Sequence, residues 1–208
     1  MAINRAYTID NVETKKFIEL KLDDDFKALV GAAEACGIWL CWGGSGSGKT
    51  TLTMLIAKML AKNYKVAFNS LEMSISKALF ETLRKAKLNE VKKNILILDR
   101  ESIADLKERL RKKQAPKIII IDSLQYTDLT KSEYKAFKEE FAHKHLFIII
   151  SHAEGKEPKG ALASFIRYDA DVKLRTEGYK AFATSRFGGG EPYTIWPEAA
   201  AKYWADIE

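Results

Sequence analysis

The chain has 208 residues, 34 Lys plus Arg against 28 Asp plus Glu for a net charge of +6, and 47% hydrophobic residues. This balance excludes a disordered or fibrous chain, and the length accommodates one full α/β domain with short extensions rather than two independent domains. The positive charge modestly favours a polyanionic partner, and composition alone names no function.

Cys36 and Cys41, five positions apart with no Cys-x-x-Cys pair, frame neither a zinc ribbon nor a disulfide scaffold and read as buried thiols. The most apolar stretch, 28–42, is too short to span a bilayer and is broken by Glu34. Residues 1–10 lack the basic-then-apolar order of a signal peptide, so a cytoplasmic protein without a membrane partner is expected.

In chain order, residues 1–37 read as an N-terminal extension, 38–196 as the core and 197–208 as a tail. Short apolar runs at 38–42, 65–69, 95–98, 117–121 and 146–150 alternate with segments of helical period, the pattern of a parallel sheet covered by helices. Ile118, Ile119, Ile120 and Ile121 are apolar at every position, which predicts a strand buried on both faces. Leu52, Leu55, Ile56, Met59 and Leu60 mark one helix face, and Ile75, Leu79 and Leu83 mark another in a helix expected over 73–86.

The basic segment 103–117 carries Ile103, Leu106 and Leu110 at helical spacing, so its cations read as a solvated helix face. Beyond a polar, Gly/Pro-punctuated stretch at 153–160, the runs 172–175, 181–185 and 193–196 read as short strands. Gly188, Gly189 and Gly190 supply a turn between the last two, which predicts an antiparallel extension of the sheet. Ala199, Ala200, Ala201, Tyr203 and Trp204 predict a short tail helix packed on the core or on a neighbour.

Gly43-Gly44-Ser45-Gly46-Ser47-Gly48-Lys49-Thr50 fits the phosphate-loop pattern G-x-x-x-x-G-K-[ST], directly after a strand and before a helix. Small residues let successive backbone N–H groups turn inward around a triphosphate, and the helix N-terminus adds partial positive charge. Lys49 can bridge the β- and γ-phosphates of ATP, Thr50 can hold Mg²⁺, and Thr51 completes the nucleotide-binding candidates. Asp122, at the end of the isoleucine run, is the second metal-shell candidate.

Ser123 rather than Glu follows Asp122, so a water-polarising base must come from elsewhere. Glu72 is the candidate, just beyond a strand (65–69) expected to neighbour the phosphate-loop strand; a plain acidic residue ahead of a helix is the alternative reading.

These runs together, the phosphate loop with Ser70-Leu71-Glu72-Met73-Ser74, Ile121-Asp122-Ser123-Leu124-Gln125 and Arg186-Phe187-Gly188, resemble a RecA-like ATPase core. The resemblance is to DnaB-type replicative helicases, RadA/Sms-type recombination ATPases and compact stand-alone ATPases of phages and mobile elements. It covers roughly 38–196 in the families' motif order. It implies a RecA-like P-loop NTPase fold: a mostly parallel central sheet flanked by helices, with a C-terminal antiparallel extension. It also implies ATP hydrolysis with Mg²⁺ and assembly with itself as a ring or filament.

By the same resemblance His152 is a γ-phosphate sensor, residues 153–160 are a mobile loop that contacts DNA, and Arg186 reaches a neighbouring subunit's ATP. Thr184 stands where the families have a lysine, so either Lys180 or another cation substitutes or trans activation is weaker. The loops following Asp122 and His152 are expected to bind single-stranded nucleic acid, with Lys156 and Lys159, and Lys131 and Lys135 beside them, as the candidate contacts.

Three readings follow: a self-assembling ATPase acting on DNA, single-stranded by preference, in replication or recombination; an ATP-switched loader or assembly protein with a protein partner; and a small-molecule kinase. The kinase needs an acceptor pocket and usually an Arg-rich lid, and the sequence shows neither.

Overall fold

In the computed structural model, which describes residues 6–205, the apolar runs form one half of a nine-stranded sheet, from the edge strand at 95–99 inward. The strands are β1 (Gly37–Gly43), β2 (Val66–Ser70), β3 (Ile95–Asp99), β4 (Ile118–Asp122), β5 (Leu146–Glu154), β6 (Glu157–Pro158), β7 (Val172–Glu177), β8 (Lys180–Ser185) and β9 (Tyr193–Thr194). Their order is β3-β2-β4-β5-β1-β7-β8-β9, parallel as far as β7 and antiparallel beyond, with β6 folded back on β5. The helices are α1 (Ile9–Glu13), α2 (Asp24–Val30), α3 (Lys49–Ala61), α4 (Lys77–Lys85), α5 (Ile103–Leu110), α6 (Lys131–Phe141), α7 (Ala161–Asp169) and α8 (Pro197–Ala205).

Every residue of β2 and β4 is buried, as a strand sandwiched between helix layers requires. One core layer gathers Phe26 and Leu29 of α2 with Leu52, Ile56 and Leu60 of α3; the other gathers Leu106 of α5, Tyr134 and Phe137 of α6 and Ile166 of α7. Each fully buried Leu or Ile adds about 1.5–3 kcal/mol, so α3, with eight buried residues of thirteen, is anchored strongly behind the loop it carries. Among the described residues, no helix is long and apolar enough to cross a membrane.

Several expectations are corrected. The strand preceding Glu72 does not neighbour β1: β4 and β5 lie between β2 and β1, whose own neighbours are β5 and β7. The helix expected over 73–86 starts at Lys77, where Ser76 caps it, because Ser74 adopts a left-handed conformation (φ 56°) that no helix continues through. Ile75 is accordingly exposed rather than part of the buried stripe.

Residues 153–160 are not an open loop: β5 runs on to Glu154 and a two-residue turn at Gly155 and Lys156 pairs it with β6. The third C-terminal strand is only Tyr193–Thr194. Cys41 is buried in β1, and burial pushes its thiol up to about 12, whereas Cys36 is only half-buried.

Candidate functional site

Parallel strands place their C-terminal ends on one edge of the sheet, and register aligns Gly43 of β1 with His152 of β5 and Thr176 of β7 there. The chain leaves β1 through residues 44–48 and enters α3 at Lys49. Gly46 (φ 74°) and Gly48 (φ 99°) adopt left-handed backbone conformations that favour glycine. A Cβ on Gly44 or Gly46 would meet nothing within 4 Å, so these positions border an open concavity, while one on Gly43 would strike the Thr176 hydroxyl at 2.2 Å. Ser47 Oγ lies 2.7 Å from Thr176 Oγ1, tying the loop to β7.

Lys49 folds back along the loop, its Nζ donating to the carbonyls of Gly43 (2.8 Å) and Gly44 (2.7 Å). Burial holds its pKa below the ordinary lysine range, with Asp122 and Glu72 acting in the opposite sense. Asp122 is almost wholly buried, and burial, reinforced by the charge of Glu72, pushes its pKa up to about 6 against the pull of Lys49 and His152.

Glu72 reaches the same place although β2 is remote from β1. The N–H groups of Leu71 and Glu72 both donate to the Asp122 carbonyl (2.8 and 3.0 Å), which swings the segment after β2 across the end of β4. The Glu72 carboxylate accepts from Ser123 Oγ at 3.2 Å and lies 3.1 Å from His152 Nε2.

The result is a cavity of about 350 Å³ into which Gly43, Ser45, Gly46, Lys49, Thr50, Glu72, Asp122, His152 and Lys159 project. Gly44 and Ser47 line the adjoining cavity of about 400 Å³ on the other side of the loop, beside Thr176 and Tyr179. Gly48 stands between the loop and Ile195, and Thr51 is exposed on the first turn of α3. The Thr50 hydroxyl and the Asp122 carboxylate are hard oxygen donors facing one space, a set that fits Mg²⁺, which binds through one or two protein oxygens and keeps its waters. Among the described residues, no cluster of three or more His, Cys, Asp or Glu offers an all-protein metal cage.

Gln125, in the sequence only one member of a longer run, joins three strand ends. Its Nε2 donates to Ser151 Oγ (2.9 Å) and to the Lys159 carbonyl (3.1 Å), and its Oε1 accepts from the His152 N–H (3.2 Å). Ser123, which in the sequence stands out only for not being Glu, holds Glu72. Its hydroxyl beside two strand-end motifs is the signal that could have found it.

Arg186 lies elsewhere. It follows β8 and sits beside Asp171, with Nη1 3.4 Å from Oδ1, in a cavity shared with Gly37, Lys135 and Lys138. This is the start of β1, and at about 3.3 Å per residue it is roughly 20 Å from Gly43.

The four lysine candidates also separate. Lys156 is exposed in the β5–β6 turn and Lys159 lines the phosphate-loop cavity. Lys131 and Lys135 belong to α6 rather than to a loop after Asp122, because Thr130 and Glu133 form a capping box that starts a helix there. Their ammonium groups lie 4.1 and 5.4 Å from the Phe165 ring centre.

Comparison with known proteins agrees with this geometry. The family described as the ATPase family associated with various cellular activities (AAA) matches residues 39–165. No curated protein matches the sequence. Among solved structures, the flagellar accessory protein FlaH from Methanocaldococcus jannaschii is similar at TM-score 0.60 and 18% identity, over 86% of this chain and 97% of that one. A KaiC-like protein from Pyrococcus horikoshii OT3 is similar at TM-score 0.59 and 18% identity, over 82% and 88%. A third solved structure, described as an ATPase domain, is similar at TM-score 0.58 and 16% identity, over 88% and 90%. At these identities the likeness is one of fold.

Proposed function

The chain belongs to the ATPase family associated with various cellular activities and has the RecA-like P-loop fold, and from that premise we propose Mg²⁺-dependent ATP hydrolysis, completed between copies of the chain and used on single-stranded DNA in replication or recombination. The observation that carries the reading is the convergence of Lys49, Thr50, Glu72, Asp122 and His152 on one cavity from separate segments of the chain.

In this proposal the N–H groups of the phosphate loop hold the phosphates, and Lys49 exchanges the Gly43 and Gly44 carbonyls for β- and γ-phosphate oxygens. Thr50 and Asp122 would hold Mg²⁺, which when bound supplies positive charge to the phosphoryl oxygens. Glu72 orients the attacking water and accepts its proton. His152, within hydrogen-bonding distance of Glu72, donates to the γ-phosphate and so reports its presence to the β5–β6 hairpin.

Lys159 lines the same cavity, so we assign it to the terminal phosphate and leave Lys156 as the hairpin's contact with nucleic acid. Arg186 acts on the ATP of the next copy, a role its place at the far end of the sheet suits.

The test is the ATP turnover rate with and without single-stranded DNA, alongside light scattering. The proposal expects stimulated turnover and assemblies larger than one chain. Turnover indifferent to every nucleic acid, in protein shown to assemble, removes the DNA role and leaves the protein-directed loader.

A further inference from the structure

The outward face of the β7–β8 hairpin carries a second surface. Along β7 the buried residues Val172, Leu174 and Thr176 alternate with Lys173, Arg175 and Glu177, which point away from the α3 side. Across the ladder Lys173 pairs with Thr184 and Arg175 with Phe182, and the Arg175 guanidinium stands 5.1 Å from the Phe182 ring centre. From α7, Arg167 reaches over the same face to lie 5.6 Å from the Trp42 ring and 6.0 Å from that of Tyr168.

Together with Lys156 these groups line a groove of about 430 Å³. Its cations are Lys156, Arg167, Lys173 and Arg175, and its one carboxylate is Glu157. Arg167 is already paired with Glu157 and Arg175 with Glu177. Among the described residues, neither Lys156 nor Lys173 has an ion-pair partner. Tyr168 is 75% exposed, a large ring left open to solvent beside two free ammonium groups.

We propose that this groove binds single-stranded nucleic acid, with Lys173 and Lys156 on backbone phosphates and Tyr168 as a stacking platform for a base. Free cations flanking an exposed ring are what an unpaired strand offers partners to, since its phosphates and its base faces are both available. A base pair inside a duplex hides the face that Tyr168 would use, and the Asp and Glu side chains of an acidic polypeptide have no ring to stack.

The groove also has a mechanical link to the nucleotide. Trp42 directly precedes the phosphate loop, and its Nε1 donates to the Lys156 carbonyl at 3.0 Å. The proposal rests on the reading of this chain as a DNA-directed ATPase and says where the strand lies.

The test is fluorescence anisotropy with a fluorescein-labelled oligo(dT) of about 20 nucleotides, a length that spans the site of one or two binding modules, and the assembled protein. Tyr168→Ala is expected to weaken binding about tenfold and Tyr168→Phe to restore it, because the ring and not the hydroxyl stacks. Lys173→Ala is expected to lower the slope of log affinity against log salt by about 0.7, one phosphate contact's share for a single strand. DNA-free ATP turnover and the thermal midpoint stay as in the wild type for all three.

Unchanged oligo(dT) binding in Tyr168→Ala and Lys173→Ala, with the wild type binding tightly, overturns the groove and leaves the DNA-directed ATPase standing. Loss of assembly in these variants overturns it in favour of a subunit interface, equal binding of polyglutamate overturns it in favour of an acidic protein, and no binding by the wild type overturns both readings.

Discussion

Replacing Arg186 by alanine separates action in cis from action in trans, because the distances leave little room for compromise. Arg186 is at the start of β1 and the phosphate loop at its end, roughly 20 Å away. Two unit charges that far apart in water interact by about 332/(80 × 20), or about 0.2 kcal/mol, and a Debye length of about 8 Å screens even that. On its own copy's ATP the guanidinium is therefore worth less than about a 1.4-fold change in rate. On a neighbour's γ-phosphate, an arginine in contact is worth about 10³–10⁵.

The Arg186 side chain is 60% exposed, and the half-buried Asp171 keeps the Ile38 N–H on its Oδ2 when the arginine is removed, so losing the pair costs the fold no more than about 1 kcal/mol. Turnover per chain, measured over a range of protein concentrations with light scattering in parallel, should then show two regimes. Dilute, unassembled Arg186→Ala matches the wild type, and assembled Arg186→Ala falls behind by about a thousandfold while still binding ATP. Mixing it with Lys49→Ala should recover part of the activity, since the interface formed by an intact loop and an intact arginine survives in hybrids. An equal loss at all concentrations, or no recovery in subunits shown to co-assemble, refutes the trans role.

Lys49→Ala and Thr50→Ala should abolish turnover, and near-normal turnover in Lys49→Ala would remove the assignment of this loop to phosphate. Glu72→Gln should keep ATP binding, read by a fluorescent nucleotide, and lose roughly two orders of magnitude or more in hydrolysis; normal turnover would pass the role of base to another carboxylate. Asp122→Asn should lose activity yet stabilise the Mg²⁺-free fold at pH 8. The Asp122 carboxylate is pushed up to about 6 against an ordinary value of 3.8, so the fold penalises its ionised form. That penalty is fully present above pH 6, is worth up to about 3 kcal/mol, and disappears as pH falls towards 4. Thermal unfolding at pH 8 and pH 4 should show the gain only at the higher pH, and a destabilised Asp122→Asn at pH 8 contradicts the calculation.

The strands and the phosphate loop are legible in the sequence because they depend on local pattern: runs such as Ile118 to Ile121 declare burial, and Gly46 and Gly48 declare left-handed turns. Strand order is not. The parallel strands β1 to β5 are all short apolar runs, and nothing local to 65–69 distinguishes a neighbour of β1 from a neighbour of β4. Glu72 is still a sound candidate, since any parallel order delivers strand ends to the same edge. α7 is hard to see because Gly160 gives it no side-chain cap, although Ala163 and Ile166 have helical spacing. α6 is different: Thr130 and Glu133 spell out its start, a signal that outweighs any reading of its lysines as a loop. The position of Arg186 requires the β7–β8 register, which reverses the chain and carries it away from the loop.

The contacts around Gln125 set the scale on which nucleotide and strand could influence one another. His152 is held through its N–H by Gln125 and through its carbonyl by the N–H of Lys159 at 2.8 Å, while the Lys159 carbonyl returns to Gln125. The β5–β6 turn lies between these anchors and is gripped once more by Trp42 through the Lys156 carbonyl. In the proposed mechanism, a γ-phosphate that draws the His152 ring from Glu72 pulls on a residue bonded to the hairpin that carries Lys156 directly through its carbonyl and, through its N–H, by way of Gln125. At about 1 kcal/mol net for each hydrogen bond, exchanging one to three of them supplies about 1–3 kcal/mol of coupling. If the chain binds a strand as proposed, that predicts about a 5- to 150-fold difference in strand affinity between ATP-bound and ATP-free protein, with the reciprocal effect of the strand on ATP required to be equal.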